Sequence, residues 1–213
     1  MPVTKEFTAD PAEFLKKYIV ILSDVKQMGA KRIDLRDFVF YVIAGNYVGL
    51  RYANEKDDGE DKIKAYWLPW KANDVTTMDL GKDADYFFTS QMTGCRFTVL
   101  NANAKQTKVA HMAGTLTKSK RNEAEDALVE AMGGSQTVTT RRLSISQVKD
   151  HGYGGQLNDD RVGSAFVYGV RKDDKWTFAA QIVQAAITES FNAKQKVAKN
   201  EATPKIKSPF NFT

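Results

Sequence analysis

The sequence contains no Gly-x-Ser-x-Gly nucleophile elbow, no His-Glu-x-x-His metal pair and no Walker or Rossmann glycine signature, which removes the serine-hydrolase, zinc-peptidase and nucleotide-binding readings. Sulfur and imidazole are left: one cysteine, Cys95, and two histidines, His111 and His151. A lone cysteine forms no internal disulfide, and with two histidines it is too poor a ligand set for a structural zinc site. Cys95 is therefore expected to be a free thiol. It follows Thr93-Gly94 at the start of a predicted strand, where a tight approach can aim backbone N–H groups at an incoming carbonyl oxygen. A thiol with a pKa near ~8.5 is only a few per cent thiolate at neutral pH and needs an imidazole or a comparable field to attack. His111, 16 residues further on, is the candidate partner. If 96–100 and 108–112 pair as a hairpin about Asn103-Ala104, Cys95 and His111 fall close to opposite one another at its open end, with Cβ atoms ~4.5–5.5 Å apart. The plain alternative is a cysteine buried as a small hydrophobe, a structural His111 and an exposed His151 in its glycine loop.

The elements that must position this pair follow from hydrophobic periodicity. Asp10 and Pro11 open a predicted helix whose stripe Phe14, Leu15, Tyr18, Ile19, Leu22 and Val25 runs until Gly29. Strands are predicted over 33–44 and 47–53 as a hairpin about Gly45-Asn46, over 62–68, 86–89, 96–100 and 108–112, with a polar loop from Lys71 to Asp79. A second helix runs from near Ser119 to Met132 and stops at Gly133-Gly134. A half-exposed strand follows over 137–145, then a mobile loop from His151 to Arg161, and a second hairpin over 163–170 and 176–186. The rims of a site at Cys95 would be the polar segments Lys71–Asp79, Asn101–Gln106 and His151–Arg161.

Without internal repeats or linkers, 1–190 reads as one α+β domain with a sandwich-like core of mixed β-sheets flanked by helices. Residues 191–213 read as a basic, loosely held tail in which Phe210 and Phe212 are the apolar anchors. From Lys194 onward five lysines face one acid, so the tail carries +4 of the formal +5 and leaves the body near neutral. That distribution argues against a nucleic-acid partner, which requires basic residues on a folded face. The longest apolar run, Phe38 to Ala44, is seven residues against the roughly 20 of a membrane helix, so no membrane span is expected. The opening ten residues lack the apolar core of a Sec signal peptide; cytoplasmic synthesis is expected, with any export by another route.

Three runs taken together carry a family resemblance: Lys64-Ala-Tyr-Trp-Leu-Pro-Trp-Lys71, then Tyr86-Phe-Phe-Thr-Ser-Gln-Met-Thr-Gly-Cys95, then Val109-Ala-His111. They resemble the superfamily of the Burkholderia lethal factor, the cytotoxic necrotizing factor catalytic domain and the chemoreceptor glutamine deamidases, over about a quarter of the chain. The resemblance implies Cys95 as nucleophile, His111 as general base and acid, and Thr89, six positions before the cysteine, as the group that orients the ring. Thr89 has no claim from spacing alone, and Trp67 and Trp70 read as core or interface aromatics. The implied reaction is hydrolysis of a glutamine side-chain amide on a target protein, without metal or cofactor. The implied partner is a protein of GTPase or translation-factor type, met by a toxin-like effector in the target-cell cytosol. Two rivals stand beside it: a thiol protease or acyl transferase using the same dyad, and a non-catalytic protein-binding module on the same scaffold. The Cys-to-His interval and the lysine-rich end depart from the lethal-factor pattern.

Overall fold

The structure, a computed structural model, describes residues 3–22, 33–57, 61–102, 106–144, 153–157, 161–186 and 205–211. It is an α+β domain of four layers. Two short helices, α1 (Thr4–Ala9) and α2 (Pro11–Lys17), form the first layer. The Asp10 carboxylate caps α2 by accepting the N–H groups of Ala12 and Glu13, each at 3.0 Å, with Pro11 in the first turn.

The second layer is a nine-stranded mixed sheet among the described residues. It comprises β1 (Ile19–Ile21), β2 (Asp34–Ala44), β3 (Tyr47–Tyr52), β4 (Ile63–Leu68), β6 (Tyr86–Thr89), β10 (Gly154–Leu157), β11 (Arg161–Lys172), β12 (Lys175–Ala186) and β13 (Lys205–Asn211). The third layer is an antiparallel sheet ordered β5 (Val75–Leu80), β8 (Gln106–Met112), β7 (Arg96–Ala102) and β9 (Val138–Leu143). Helix α3 (Lys118–Ala131) is the fourth.

Strand periodicity of two explains the layering, because alternate side chains serve opposite faces. Along β4, Tyr66 and Leu68 enter the core between the sheets, whereas Ala65 and Trp67 face α1 and α2; on β6, Phe87 and Phe88 divide the same way. Phe97, Val99, Val109 and Leu143 supply the small sheet's half of the central core. Its outer face carries Leu100, Ala102 and Val138 under Leu128 and Val129 of α3 and the Met132 that caps it. A buried carboxylate fixes that helix. Glu125 accepts from Arg96 at 3.1 Å, from Thr98 Oγ1 at 2.9 Å and from Arg142 at 2.7 Å, which binds α3 to both β7 and β9.

Several sequence expectations differ from this fold. The predicted long first helix ends at Tyr18, and Ile19–Ile21 becomes β1, paired in parallel with β3 from Ile19 opposite Tyr47. The cause is tertiary. The fully buried Gln181 of β12 donates from Nε2 to the carbonyls of Leu15 and Tyr18 and accepts from the Val20 N–H, satisfying backbone groups at the helix end. Val25 and Gly29 lie outside the described residues. Residues Lys71–Asp79 are not a continuous loop, since Val75–Leu80 is β5 along β8. Tyr153, assigned to a mobile loop, is fully buried, and Gly154–Leu157 pairs with β11. Within the segment read as a loosely held tail, Lys205–Asn211 pairs with β12 as β13, Phe210 opposite Ala180; 187–204, Phe212 and His151 lie outside the described residues. No helix among the described residues is long and apolar enough to cross a membrane.

Candidate active site

β6 ends at Thr89 in the large sheet and β7 begins at Arg96 in the small one, so Ser90–Cys95 carries the chain across the sandwich. Sheet faces stack about 10 Å apart, which gives the six-position interval between Thr89 and Cys95 a structural meaning. The crossing is tied down midway. Met92 exchanges two backbone hydrogen bonds with Ala165, at 2.9 and 2.8 Å, and Gln91 Nε2 donates to Ser164 Oγ at 2.8 Å.

His111 lies on β8 opposite Phe97 of β7 and Thr76 of β5, turned into the core and 1 % exposed. Thr89 approaches it from the other sheet, its Oγ1 2.7 Å from His111 Nδ1 and 2.6 Å from the Leu68 carbonyl. The hydroxyl has one proton, and the carbonyl can only accept, so the proton goes to Leu68 and the oxygen accepts from Nδ1–H. His111 is thereby set as the Nδ1–H tautomer. Its Nε2 is left with a free lone pair and no hydrogen-bond partner among the described residues.

Cys95 is 7 % exposed at the floor of a cleft of about 620 Å³, lined by the crossing segment, Leu22, Trp70, Ser164 and the Gly114-Thr115 turn. The register places it differently from the predicted hairpin. β7 and β8 are separated by three residues, not two, and Ala102 pairs with Gln106, so Cys95 sits one diagonal step from His111 on the same inward face. Diagonal neighbours stand about 7–8 Å apart at the backbone, against 4.5–5.5 Å for direct opposites. The sulfur instead meets backbone donors: the N–H groups of Gly114 and Thr93 point at it and, with the Arg121 charge, favour the thiolate. Burial outweighs them and pushes the thiol pKa up. Burial likewise lowers His111 to about 4. At neutral pH the resting pair is a thiol and a neutral imidazole.

Three groups act here that sequence reasoning did not assign. Tyr153 donates its hydroxyl to the Cys95 carbonyl at 2.8 Å, with Leu143 O at 3.2 Å. Arg121 Nη1 donates to the Gly94 carbonyl at 3.1 Å. Gly114 presses on the same peptide, and a Cβ there would come within 2.8 Å of Gly94 C and 3.2 Å of Cys95 N. All three come from segments far along the chain, and no local signature marks them. Gly114→Ala is expected to displace the Cys95 backbone, changing the rate of thiol alkylation by iodoacetamide severalfold while far-UV circular dichroism stays that of the wild type. An unchanged rate would show that the backbone accommodates the methyl group.

Of the aromatics, Trp67 is buried against the α1–α2 layer, and Trp70 is 37 % exposed at the cleft. No described residue of the predicted rims lines the cleft; the described lining comes from segments next to them, and much of His151–Arg161 lies outside the described residues. Among the described residues no three His, Cys, Asp or Glu side chains gather as a metal site. No protein-family model matches the chain, and curated proteins give no significant match.

Proposed function

We propose that this chain is a cysteine-dependent amidohydrolase that converts a glutamine side chain of a target protein to glutamate, as an effector of toxin type. The observation that carries the reading is the Leu68–Thr89–His111 hydrogen-bond chain. It leaves Nε2 with an open lone pair on the inward face that also carries Cys95, one diagonal step away beneath the cleft. The described residues that line the cleft carry no formal charge, which suits a neutral carboxamide better than a carboxylate or an ammonium group.

In the reaction, Cys95 Sγ bonds to the carboxamide carbon as its proton passes to His111 Nε2. The carbonyl electrons move onto oxygen. Collapse of this adduct breaks the C–N bond, and the imidazolium returns the proton so that ammonia leaves. Water, deprotonated by Nε2, then attacks the thioester; glutamate departs and the sulfur regains its proton. Since both groups are neutral at rest, proton transfer accompanies attack and does not precede it. Catalytic hydrogen bonds in resting enzymes are often long and close only around substrate.

A second reading, a protein-binding module with a structural cysteine, draws on the same raised thiol pKa and on the missing bond at Nε2. One experiment separates the two. Cell lysate is incubated with wild type or Cys95→Ser, and its peptides are compared by mass spectrometry. The deamidase reading expects one glutamine to gain the mass of an amide turned acid with wild type alone. Identical peptide masses in both samples, from folded proteins, would reject it.

A further inference from the structure

The two carbonyls that flank the nucleophile are both held from behind the cleft. Arg121 takes the Gly94 oxygen at 3.1 Å, and Tyr153, fully buried, takes the Cys95 oxygen at 2.8 Å. In a trans peptide the C=O and the following N–H point in opposite directions. Drawing the Gly94 oxygen toward α3 therefore turns the Cys95 N–H the other way, and that N–H has no partner among the described residues. Gly114 packs against this peptide, and only a residue without a side chain fits there: a Cβ would stand 2.8 Å from Gly94 C and 3.2 Å from the Cys95 nitrogen.

Arg121 is itself placed by the fold. It lies one helical turn before Glu125, whose bonds to Arg96, Thr98 and Arg142 hold α3 on the small sheet. Residues four apart share a helix face, so the anchor that docks α3 also delivers the guanidinium to Gly94.

We infer that Arg121 is a positioning residue: it locks the Gly94–Cys95 peptide so that the Cys95 N–H is presented as an oxyanion donor for acyl chemistry at Cys95. This deepens the proposed amidohydrolase reading and rests on it for the natural substrate. Among the described residues, the charged and titratable groups around the sulfur are Arg121 from α3, Tyr153, the adjacent Arg96 and, one diagonal step away, His111 from β8. Only Arg121 among them bonds the Gly94 carbonyl.

The test compares two reactions of one thiol. p-Nitrophenyl acetate acetylates Cys95 through a tetrahedral oxyanion: sulfur bonds to the acetyl carbon, p-nitrophenolate leaves with the C–O electrons, and the thiol proton passes to His111 or solvent. Iodoacetamide is attacked at a saturated carbon, iodide leaves and no oxyanion forms. Losing one oxyanion donor costs on the order of 10²–10³-fold in rate. Arg121→Met is therefore expected to slow acetylation at least tenfold more than alkylation, and Arg121→Gln, which keeps a donor for Gly94, is expected to recover part of that ratio. Arg121→Leu, which also removes the donor, is expected to behave as Arg121→Met does and serves if that variant does not fold. A folded Arg121→Met or Arg121→Leu with the wild-type ratio overturns the inference. So does a wild-type ratio no higher than that of free cysteine. Failure of the deamidase reading is distinguishable, because it leaves this ratio intact while no glutamine in a lysate is converted.

Discussion

His111→Gln is expected to keep its stability from pH 7 to pH 4, where the wild-type protein loses about 3 kcal/mol through this one side chain. Burial lowers the folded-state pKa of His111 to about 4, while an unfolded histidine titrates near 6.5. The unfolded chain therefore binds a proton first as pH falls. Stability attached to the neutral ring is complete above ~6.5, declines through the window down to about 4, and is spent below it; the gap of about 2.5 units at 1.36 kcal/mol each sets the size. Asp57 adds a separate loss at lower pH. Its carboxylate, bound by two Arg51 nitrogens at 2.7 Å, titrates at about 2, so its contribution holds above the usual carboxylate pKa and fades toward 2. Urea titrations of wild type and His111→Gln at pH 7, 5 and 4 measure the difference. Parallel losses in the two proteins would mean that His111 is not the buried neutral group described. At pH 7 the same substitution is expected to abolish deamidation, since glutamine offers no base.

Thr89→Val is expected to lower kcat/KM by 10²–10⁴-fold, whereas Thr89→Ser stays within severalfold of wild type. Valine keeps the shape and removes both bonds, to Leu68 O and from His111 Nδ1–H. The ring then loses the acceptor that holds its proton on Nδ1. A histidine with its proton on Nε2 cannot accept one there, and a wrong tautomer costs about 10⁴-fold in a serine-protease triad. Nitrogen NMR reads this directly: the wild type should show the Nδ1–H tautomer of His111, and the valine variant should depart from it. A valine variant with wild-type kinetics and spectrum would demote Thr89 to a β-sheet residue. The unpaired Nδ1–H also carries a stability cost of about 1–3 kcal/mol, so thermal melts accompany the kinetics.

What could be read from the amino-acid order was set by short-range physics. The hairpin about Gly45-Asn46, β4, β6 and the helix before Gly133-Gly134 follow from alternation, turn residues and spacing, and the structure has them within a few residues of the predicted bounds. The candidate residues Cys95 and His111 stood out by chemistry, and Thr89 only through a resemblance. What escaped depends on partners distant in the chain. Gln181 sits 163 residues from Tyr18, whose carbonyl it binds, so a helical stripe continuing through Ile19 gives no hint of its interruption. Val75–Leu80 is half polar, and only its pairing with β8 makes it a strand. The register between Cys95 and His111 turned on one residue in the connection, and strand alternation alone does not count such residues.

Thr89 and His111 belong to different sheets, and one bond of 2.7 Å joins them. That contact works as a vernier on the alignment of the two sheets: a slip of little more than an ångström between them severs it while every strand pairing inside each sheet survives. The Thr89–His111 alignment is accordingly expected to be lost at the first shear between the sheets, before either sheet comes apart. Gentle denaturation should silence the thiol's chemistry while circular dichroism still reports intact strands.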